Sequence, residues 1–424
     1  MIYFPYLLFR MVFTGKYRSS FFRRLGFFID VGAIKKDDRV IWLHAVSVGE
    51  TLATVGFQKK LKEAFPGFKL LFTTTTETGY RIALEKCKSA DAVVYFPLDF
   101  HFSLRRFLSR FDIRLLVLTE TEVWPNLIGA LKKKGVPVAI INGRISDRSF
   151  KNYLRFSGVL SGTFAAIDKC LMQSEIDAGR IKSIGATPEN VAVTGNLKYD
   201  EIAPYMQMNA SEIYNAFGFK HDDMIFVAGS VHPGEDKTVI DAYLKVRSKH
   251  AALKMIIAPR KFDKIDGLYR YLDELNIKYE KRSEIIKMKR SPSENVMVLD
   301  TVGELVKTYA MAKIVFVGGS LVDVGGHNIL EAAVFKKPVI FGPRMHNFRE
   351  MSESFVGSGA GFMVSDGSQL AETMQKLIEI DEKAYLNLSS RAYSEVTRMA
   401  GATSRNIFIL QTLLNSDNIN SDFI

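Results

Sequence analysis

Three glycine-containing segments in the last third of the chain have the composition of a phosphate-binding turn. An apolar run ends at Gly318–Ser320, a glycine pair at Gly325–Gly326 opens a helical pattern that contains Glu331, and another apolar run follows. Glycine lets the backbone approach a phosphate closely, and free N–H groups at a helix N-terminus bind anions. Glu331, about one turn into this helix, could accept hydrogen bonds from ribose hydroxyls. An ordinary glycine-rich βα turn would show the same pattern, because glycine spacing alone is a weak signal.

Carboxylates follow two of the apolar runs. Glu50 comes after Val40–Val46, at the start of a helical pattern, where the helix dipole stabilises an ionised carboxylate. Such a group, facing a cleft, can accept a proton from an attacking hydroxyl. Glu120 and Glu122 follow another apolar run and could stabilise positive charge on a sugar carbon or bind acceptor hydroxyls. Acidic residues are also favoured at helix starts for electrostatic reasons alone, so this alternative stays open.

Basic residues that could bind phosphate or carboxylate groups lie near the ends of other predicted strands. Lys198 lies where two domains are expected to join, and Arg260 follows Pro259 at a strand end. Gly229–Asp236 is a further glycine-containing turn after a strand. Each signal is weak alone, and an isolated lysine is more often solvated. Together they indicate one side of two sheets, because open α/β sheets bind ligands at the carboxyl ends of their strands.

Apolar runs alternate with helical patterns such as Glu50–Ala64, which predicts parallel sheets built from right-handed crossovers. Near-continuous apolar runs such as Leu115–Leu118 are typical of a sheet that is covered on both faces. The polar, proline-containing stretch Asn196–Asn209 predicts a linker, and the basic stretch Lys281–Arg290 predicts a solvated loop. The predicted fold class is therefore α/β, with two Rossmann-like, doubly wound domains facing across a cleft.

We predict an amphipathic basic segment at residues 1–36, an N-terminal Rossmann-like domain at 37–203 and a C-terminal one at 204–424. Residues 1–36 carry seven Lys or Arg against one acid, a net +6 of the chain's +11. Arg10 interrupts the apolar run before the roughly 20 residues of a spanning helix, and no small-residue cleavage site follows. Aromatic residues interleaved with cations are typical of a segment at an anionic membrane surface.

A basic arm packed on its own domain is the alternative for this segment. A nucleic-acid partner is not predicted, because no recognition module accompanies the charge. The two cysteines, Cys87 and Cys170, support no disulfide framework, which favours a reducing compartment. The seven histidines lack paired ligand spacing, so a structural metal site is not predicted. No cofactor is predicted.

Several motifs together resemble those of the Kdo (3-deoxy-D-manno-octulosonic acid) transferases of lipopolysaccharide and lipid A biosynthesis, which are GT-B glycosyltransferases. The resemblance covers most of the chain. Its motifs are Val46–Glu50, Thr119–Asn126, Asn142–Ser149, Thr194–Asp200, Gly303–Leu305 and Gly325–Glu331. Three positions depart from the family pattern: Val231 stands where a hydroxyl residue is expected, Lys261 where histidine is usual and Ala332 where proline is usual.

The resemblance implies roles for individual residues. Glu50 matches the general base of the family, and Glu120 and Lys198 match positions to which the family assigns transition-state stabilisation. The predicted CMP-binding residues, which include the glycine turn described above, are Pro259, Arg260, Gly303, Glu304, Leu305, Gly318, Gly319, Ser320, Asn328, Ile329, Leu330 and Glu331.

The reaction implied by the resemblance is inverting transfer of Kdo from a CMP-Kdo donor to the 6-hydroxyl of a tetraacylated lipid A precursor (lipid IVA), without a metal. The expected location is the cytoplasmic face of the cell inner membrane, where the basic N-terminus would bind the anionic membrane surface and the acceptor phosphates. Two alternatives remain: another GT-B enzyme that uses a UDP-sugar, and a non-catalytic membrane-associated nucleotide-binding protein.

Overall fold

The computed structural model describes residues 20–421, with side chains up to Leu414. It divides into two compact units. The first contains the described residues up to Glu201 together with those from Ala400 onward, and the second is Ile202–Met399. The predicted basic segment falls within residues 1–36, and its first 19 residues lie outside the described part of the chain.

The first unit contains a seven-stranded sheet in the order β3-β2-β1-β4-β5-β6-β7, with all neighbouring strands parallel. Its strands are β1 Arg39–Ala45, β2 Lys69–Thr74, β3 Ala92–Tyr95, β4 Asp112–Thr119, β5 Val138–Gly143, β6 Lys169–Met172 and β7 Val191–Val193. Its helices are α1 Phe21–Arg24, α2 Val48–Ala53, α3 Val55–Ala64, α4 Glu77–Lys86, α5 His101–Leu108, α6 Pro125–Lys132, α7 Asp147–Arg155, α8 Ser157–Ala165 and α9 Glu175–Ser183, with 3-10 helices at Pro188–Asn190 and Leu197–Gln207.

Both faces of this sheet are covered, because successive strand residues point to opposite sides. Trp42 packs in one apolar cluster, whereas its neighbours Ile41 and Leu43 pack in another. The chain leaves β1 on one side towards β2 and returns on the other side at β4. That change of direction creates a switch point between β1 and β4, where loops diverge and ligands bind in open α/β sheets.

The second unit repeats this design with the order β10-β11-β9-β8-β12-β13-β14, again with parallel neighbours throughout. Its strands are β8 Ile225–Val231, β9 Lys254–Pro259, β10 Glu280–Lys281, β11 Val296–Val298, β12 Ile314–Val317, β13 Val339–Phe341 and β14 Gly361–Met363. Its helices are α10 Ala210–Phe217, α11 Asp236–Arg247, α12 Ile265–Glu274, α13 Arg282–Met288, α14 Leu305–Met311, α15 Leu330–Ala333, α16 Arg349–Gly357, α17 Gly367–Glu379 and α18 Glu382–Met399, with 3-10 helices at Phe262–Lys264 and His346–Phe348. Its switch point lies between β8 and β12.

The two parallel sheets confirm the predicted α/β class. The last helix, α19 (Ala402–Ser421), differs from the predicted boundary of 204–424, because it packs on the first sheet through Ile407 and Leu410. Its start is joined to the same unit by Asp200, whose carboxylate accepts hydrogen bonds from the N–H groups of Gly401 (2.5 Å) and Thr403 (2.6 Å).

One local prediction is confirmed and two are wrong. The boundary between the two units, at Glu201 and Ile202, falls within the predicted linker Asn196–Asn209, which contains the 3-10 helix Leu197–Gln207. The stretch Lys281–Arg290 is not a solvated loop, because it contains α13 with Arg282 and Ile285 buried. The predicted helix Glu50–Ala64 is part of two helices, α2 and α3, which meet at Thr54. The Thr54 hydroxyl donates a hydrogen bond to the Thr51 carbonyl at this junction.

Not every cation in the described part of the basic segment is exposed to solvent. Arg24 is buried, and its guanidinium donates to the Ser20 hydroxyl and to the Thr75 carbonyl. It therefore has a structural role and does not belong to the predicted membrane-facing cations. Within residues 20–421, no helix has both the length and the apolar composition that crossing a bilayer requires.

Candidate active site

The first unit presents Glu50 just beyond the end of β1, beside the switch point. Ser47 caps α2, and Glu50 is the third residue of that helix. The Glu50 carboxylate accepts hydrogen bonds from the Val46 N–H (2.8 Å) and the Ser47 hydroxyl (2.7 Å), and the Glu50 N–H donates to the Ser47 hydroxyl oxygen (3.3 Å), which forms a variant of the capping box. Glu50 forms no ion pair with the described residues. Each carboxylate oxygen keeps lone-pair capacity beyond these bonds, so the box orients the group without consuming it.

Glu120 follows β4, the strand next to β1. Its backbone has a φ of 59°, a left-handed conformation that is unfavourable for a non-glycine residue, and its N–H donates to the Ile141 carbonyl at 2.9 Å. Burial and the negative charge of Glu50 raise the pKa of Glu120, whereas the positive charges of Lys198 and Arg144 oppose that rise. The structure therefore brings together the predicted catalytic residues Glu50, Glu120 and Lys198, and adds Arg144.

Lys198 is placed by a chain of amide side chains. The Asn142 side-chain oxygen accepts a hydrogen bond from the Leu197 N–H at 3.0 Å, and Asn196 accepts one from the Lys198 N–H at 3.0 Å. The Asn196 amide in turn donates to Gln173 at 3.1 Å. These bonds fix the backbone at the start of the 3-10 helix, while the Lys198 side chain itself is exposed. The lysine can therefore move its ammonium group towards a bound anion.

Glu122 is a third carboxyl group at this edge. Burial, followed by the charges of Glu50 and Glu120, raises its pKa from 4.5 to about 7. The positive charges of Lys198 and Arg144 partly offset the rise in the pKa of Glu120. The pKa of Glu122, by contrast, is raised by burial and by the charges of two acids. Glu122 thus holds a proton more readily than a solvated glutamate does, and its pKa responds to the charges of both Glu50 and Glu120.

Replacement of Glu122 by glutamine should change the pH dependence of stability. Because the pKa is raised in the folded chain, the contribution of this group to stability is complete below about pH 4.5 and lost as pH rises through about 7. Glutamine carries no charge, so the variant should be more stable than the wild type at about pH 8 and close to it at about pH 5. Thermal unfolding at both pH values measures this, and a variant-to-wild-type difference that does not change with pH would contradict it.

In the second unit the glycine turn after β12 is held by an internal carboxylate. Glu235, fully buried at the start of α11, accepts hydrogen bonds from the N–H groups of His232 (3.0 Å), Gly319 and Leu321 (3.0 Å). A Cβ atom on Gly318 would lie 2.7 Å from the Glu235 carboxylate, so glycine is required there. These amides therefore do not face a phosphate as the sequence analysis expects, because Glu235 already occupies them.

Two histidines that the sequence analysis did not select lie beside this turn. The Nε2 atoms of His232 and His327 are 2.9 Å apart, and the rings are stacked with their centroids 5.2 Å apart. Burial, followed by the charges of Lys261 and Arg260, lowers the pKa of His232. Burial, followed by the charges of Arg260 and His232, lowers the pKa of His327 to about 4. His232 lies in the glycine-containing motif Gly229–Asp236, and His327 lies in Gly325–Glu331. A histidine within each of these motifs was the sequence feature from which the pair could have been suspected.

The predicted CMP-binding segments at strand ends of this unit differ in what they can offer. Arg260 and Lys261, after β9, are exposed and form no ion pair with the described residues. The Glu304 carboxylate, by contrast, accepts hydrogen bonds from Arg282 (3.0 and 3.2 Å) and from the Thr301 hydroxyl. Burial alone would raise the pKa of Glu304, but these hydrogen bonds lower it. Its side chain is thus committed internally, which leaves the backbone of Gly303–Leu305 for a ligand.

Glu331 also differs from its predicted place. The helix α15 is only four residues long and Glu331 lies in its first turn, not one turn further along. The preceding Asn328 accepts a hydrogen bond from the Leu330 N–H at 3.1 Å. Ile329 and Leu330 are fully buried, so their predicted contact with CMP is restricted to backbone atoms. Among residues 20–421, no group of three or more His, Cys, Asp or Glu side chains is arranged to hold a metal ion.

Two family models match the chain, one in each unit. Residues 19–201 match the model described as 3-deoxy-D-manno-octulosonic-acid transferase (kdotransferase), and residues 220–395 match glycosyl transferases group 1. A solved UDP-GlcNAc 2-epimerase from Neisseria meningitidis, bound to UDP-GlcNAc, covers 89% of this chain and all of its own at 15% identity with a TM-score of 0.58. This likeness shows the fold alone, and together with the second family model it confirms the predicted GT-B type of fold.

Individual relatives are similar over most of the chain. A bifunctional glycosyltransferase/methyltransferase from Fusobacterium nucleatum is 34% identical over 81% of this chain, which spans about half (53%) of that protein's length. A 3-deoxy-D-manno-octulosonic acid transferase from Haemophilus influenzae is 30% identical over 95% of this chain and 93% of its own. The chain therefore belongs to the 3-deoxy-D-manno-octulosonic acid (Kdo) transferase family of glycosyltransferases.

Proposed function

We propose that this protein transfers Kdo from CMP-Kdo to the 6-hydroxyl of a tetraacylated lipid A precursor, with inversion at the anomeric carbon. The observation that carries the proposal is the orientation of Glu50, whose carboxylate is held by two hydrogen bonds at the switch point of the first sheet. Family membership supports the transferred sugar, since the relatives of known name that span nearly all of the chain are Kdo transferases.

The first unit would supply the acceptor side of the reaction. Glu50 takes the proton of the attacking hydroxyl, and the hydroxyl oxygen then bonds to the anomeric carbon of Kdo. The bond from that carbon to the CMP phosphate breaks, and its electron pair stays on the phosphate oxygen. Glu120 and Lys198, which interact electrostatically at the same sheet edge, stabilise the charge that develops on the sugar.

The second unit would supply the donor side. CMP-Kdo carries a phosphodiester and a sugar carboxylate, and both are anionic. Arg260 and Lys261 lie exposed after β9 without an acidic partner in the described chain, so they can bind these anions. Cations and backbone N–H groups are sufficient to stabilise a phosphate monoester as leaving group, so this scheme routes no step through a metal.

The membrane is the proposed location, at the cytoplasmic face of the inner membrane. An aromatic patch, defined here as Phe22, Phe27, Phe28 and Phe102 with Arg106, lies on the first unit. The exposed fractions of Phe22, Phe28 and Phe102 are 60%, 81% and 57%. The Arg106 guanidinium lies 3.9 Å from the ring centroid of Phe27 and 5.5 Å from that of Phe102. Exposed rings with an adjacent cation suit the headgroup region of an anionic membrane.

Removal of the two most exposed rings should weaken membrane binding. The double variant Phe22→Ser/Phe28→Ser removes apolar area worth about 1.4–3 kcal/mol in total at partial insertion, so vesicle affinity should fall roughly tenfold to a hundredfold. Sedimentation with phosphatidylglycerol-containing vesicles measures it. Phe408→Ser is the matched control, because Phe408 is 66% exposed on α19, which covers the opposite face of the sheet. Equal losses in the two variants would contradict a role for the patch.

The proposed reaction is tested by acceptor-dependent release of CMP. Purified protein is incubated with CMP-Kdo in detergent, with and without the tetraacylated acceptor, and free CMP is measured. We expect CMP release that depends on the acceptor, and no release of UDP when UDP-sugars replace CMP-Kdo. Release of UDP instead of CMP would favour another GT-B enzyme, and no release with any donor would favour a non-catalytic nucleotide-binding protein.

A further inference from the structure

The histidine pair of the second unit has a proton-binding capacity that the roles assigned so far do not use. A contact of 2.9 Å between the two Nε2 atoms is a hydrogen bond only when one ring donates N–H and the other presents a lone pair. The acceptor ring then carries its own proton on Nδ1, so an added proton goes to the Nδ1 atom of the donor ring and leaves that bond intact. A second added proton would force two charged rings against each other. The pair can therefore take up one proton while keeping its geometry.

The charges around the pair suppress that uptake in the free protein. Arg260 and Lys261 approach from the end of β9, and their charges lower the pKa of His232. A nearby acid, Glu235 at the N-cap of α11, accepts hydrogen bonds from the N–H groups of the turn and of His232 itself. From the other side, His346 lies against Gly325, where a Cβ atom would be 2.6 Å from its Nε2. Burial and the charges of these two cations thus favour the neutral form of the pair.

An anion bound to Arg260 and Lys261 would reverse this balance, because it neutralises the cations that oppose protonation. The charge of the proposed ligand also changes during the reaction. The phosphodiester of a nucleotide sugar carries one negative charge, whereas the released phosphate monoester has a second pKa of about 6 and is mostly a dianion at neutral pH. A site that gains a positive charge as the phosphate gains a negative one stabilises the leaving group more than the donor.

We infer that His232 and His327 form a shared proton site that contacts the phosphate and takes up one proton from solvent when a nucleoside monophosphate dianion binds beside Arg260. On release of the nucleotide the proton returns to solvent, so no other group is consumed. The inference rests on the proposed function, because it takes CMP as the product. It also explains why a partly buried histidine pair lies next to a glycine turn whose N–H groups already donate to Glu235.

Calorimetry of CMP binding to the full-length protein tests this. The binding enthalpy is measured at about pH 7.5, where CMP is nearly all dianion, in buffers of different ionisation enthalpy, and the slope gives the protons taken up. We expect about one proton per CMP for the wild type and at least a fivefold smaller uptake for His327→Asn. Cytidine, which has no phosphate, should bind without uptake. His250→Gln is the control, because His250 precedes β9 and therefore lies at the amino-terminal ends of the strands, whereas the pair lies at their carboxyl ends.

The outcomes separate the two proposals. CMP binding without proton uptake, or uptake that survives in His327→Asn, would overturn the proton site and leave Kdo transfer standing. Failure of CMP to bind the wild type would overturn both. Nitrogen-15 spectra of the histidine side chains in the intact wild type provide a second readout that needs no variant of the buried His232. In those spectra, CMP should shift two histidines towards the protonated form.

Discussion

The variant Glu50→Gln is expected to lose about 10²- to 10⁴-fold in the rate of glycosyl transfer while it keeps the fold and the affinity for CMP. Glutamine keeps one acceptor oxygen for the Val46 N–H, and its amide NH2 can donate to the Ser47 hydroxyl in place of the bond that the carboxylate accepts. It cannot take a proton from an attacking hydroxyl. The loss should therefore appear in the turnover number rather than in donor binding, which steady-state kinetics with varied CMP-Kdo would show.

Two further variants separate catalysis from helix capping. Glu175→Gln removes an exposed acid from the first turn of α9, a helix of the same unit, and should leave the transfer rate close to that of the wild type. Ser47→Ala removes the cap of α2 but keeps the Glu50 carboxylate, and should destabilise the protein by about 1 kcal/mol with a smaller loss of rate than Glu50→Gln. A transfer rate in Glu50→Gln within a few fold of the wild type would remove the proposed mechanism.

The second large effect is expected at Glu235. Its replacement by alanine leaves the buried N–H groups of His232, Gly319 and Leu321 without their acceptor. The expected loss in the free energy of unfolding is roughly 3–5 kcal/mol, because each unpaired buried donor costs on the order of 1–3 kcal/mol and partial relaxation recovers some of it. CMP binding should weaken as well, since the turn positions the strand-end groups of the donor side. Urea unfolding and a CMP thermal shift measure the two effects.

Glu235→Gln and Glu212→Ala are the matched variants for this test. Glutamine keeps one acceptor oxygen, so its loss should be intermediate. Glu212 is an exposed acid in the first turn of α10 of the same unit, and its removal should cost well under about 1 kcal/mol. If Glu235→Ala were as stable as Glu212→Ala, the carboxylate would not be what holds the glycine turn.

The strands were predictable wherever a short apolar run is bounded by glycine or charge. β12 and β13 coincide with the two apolar runs that flank the glycine turn, one ending at Gly318–Ser320 and one following Glu331. The short edge strands β10 and β14 were not, because two or three residues that pair on one side only leave little periodic signal. The return of α19 to the first sheet was equally hidden, since a helical pattern shows that a helix forms but not which sheet covers its apolar face.

The candidate site divides in the same way. Glu50, Glu120 and Lys198 could be found from motifs because each follows its own strand, and the parallel order β1-β4 places the two acids at one edge. The role of Glu235 could not be found in this way. Its carboxylate accepts a hydrogen bond from the N–H of Gly319, which lies 84 residues further along the chain. The contact depends on β8 and β12 being neighbours, which the order of the strands in the sequence does not show. The pairing of His232 with His327 depends on that same adjacency.

The most direct test of the account is the mass of the glycolipid product. Wild-type protein, CMP-Kdo and the tetraacylated lipid A precursor are incubated together, and the lipid fraction is analysed by mass spectrometry. The account predicts a lipid heavier than the acceptor by whole Kdo residues, formed only when CMP-Kdo is the donor. An acceptor of unchanged mass in the presence of CMP-Kdo, or one that gains a different sugar from a UDP-linked donor, would contradict it.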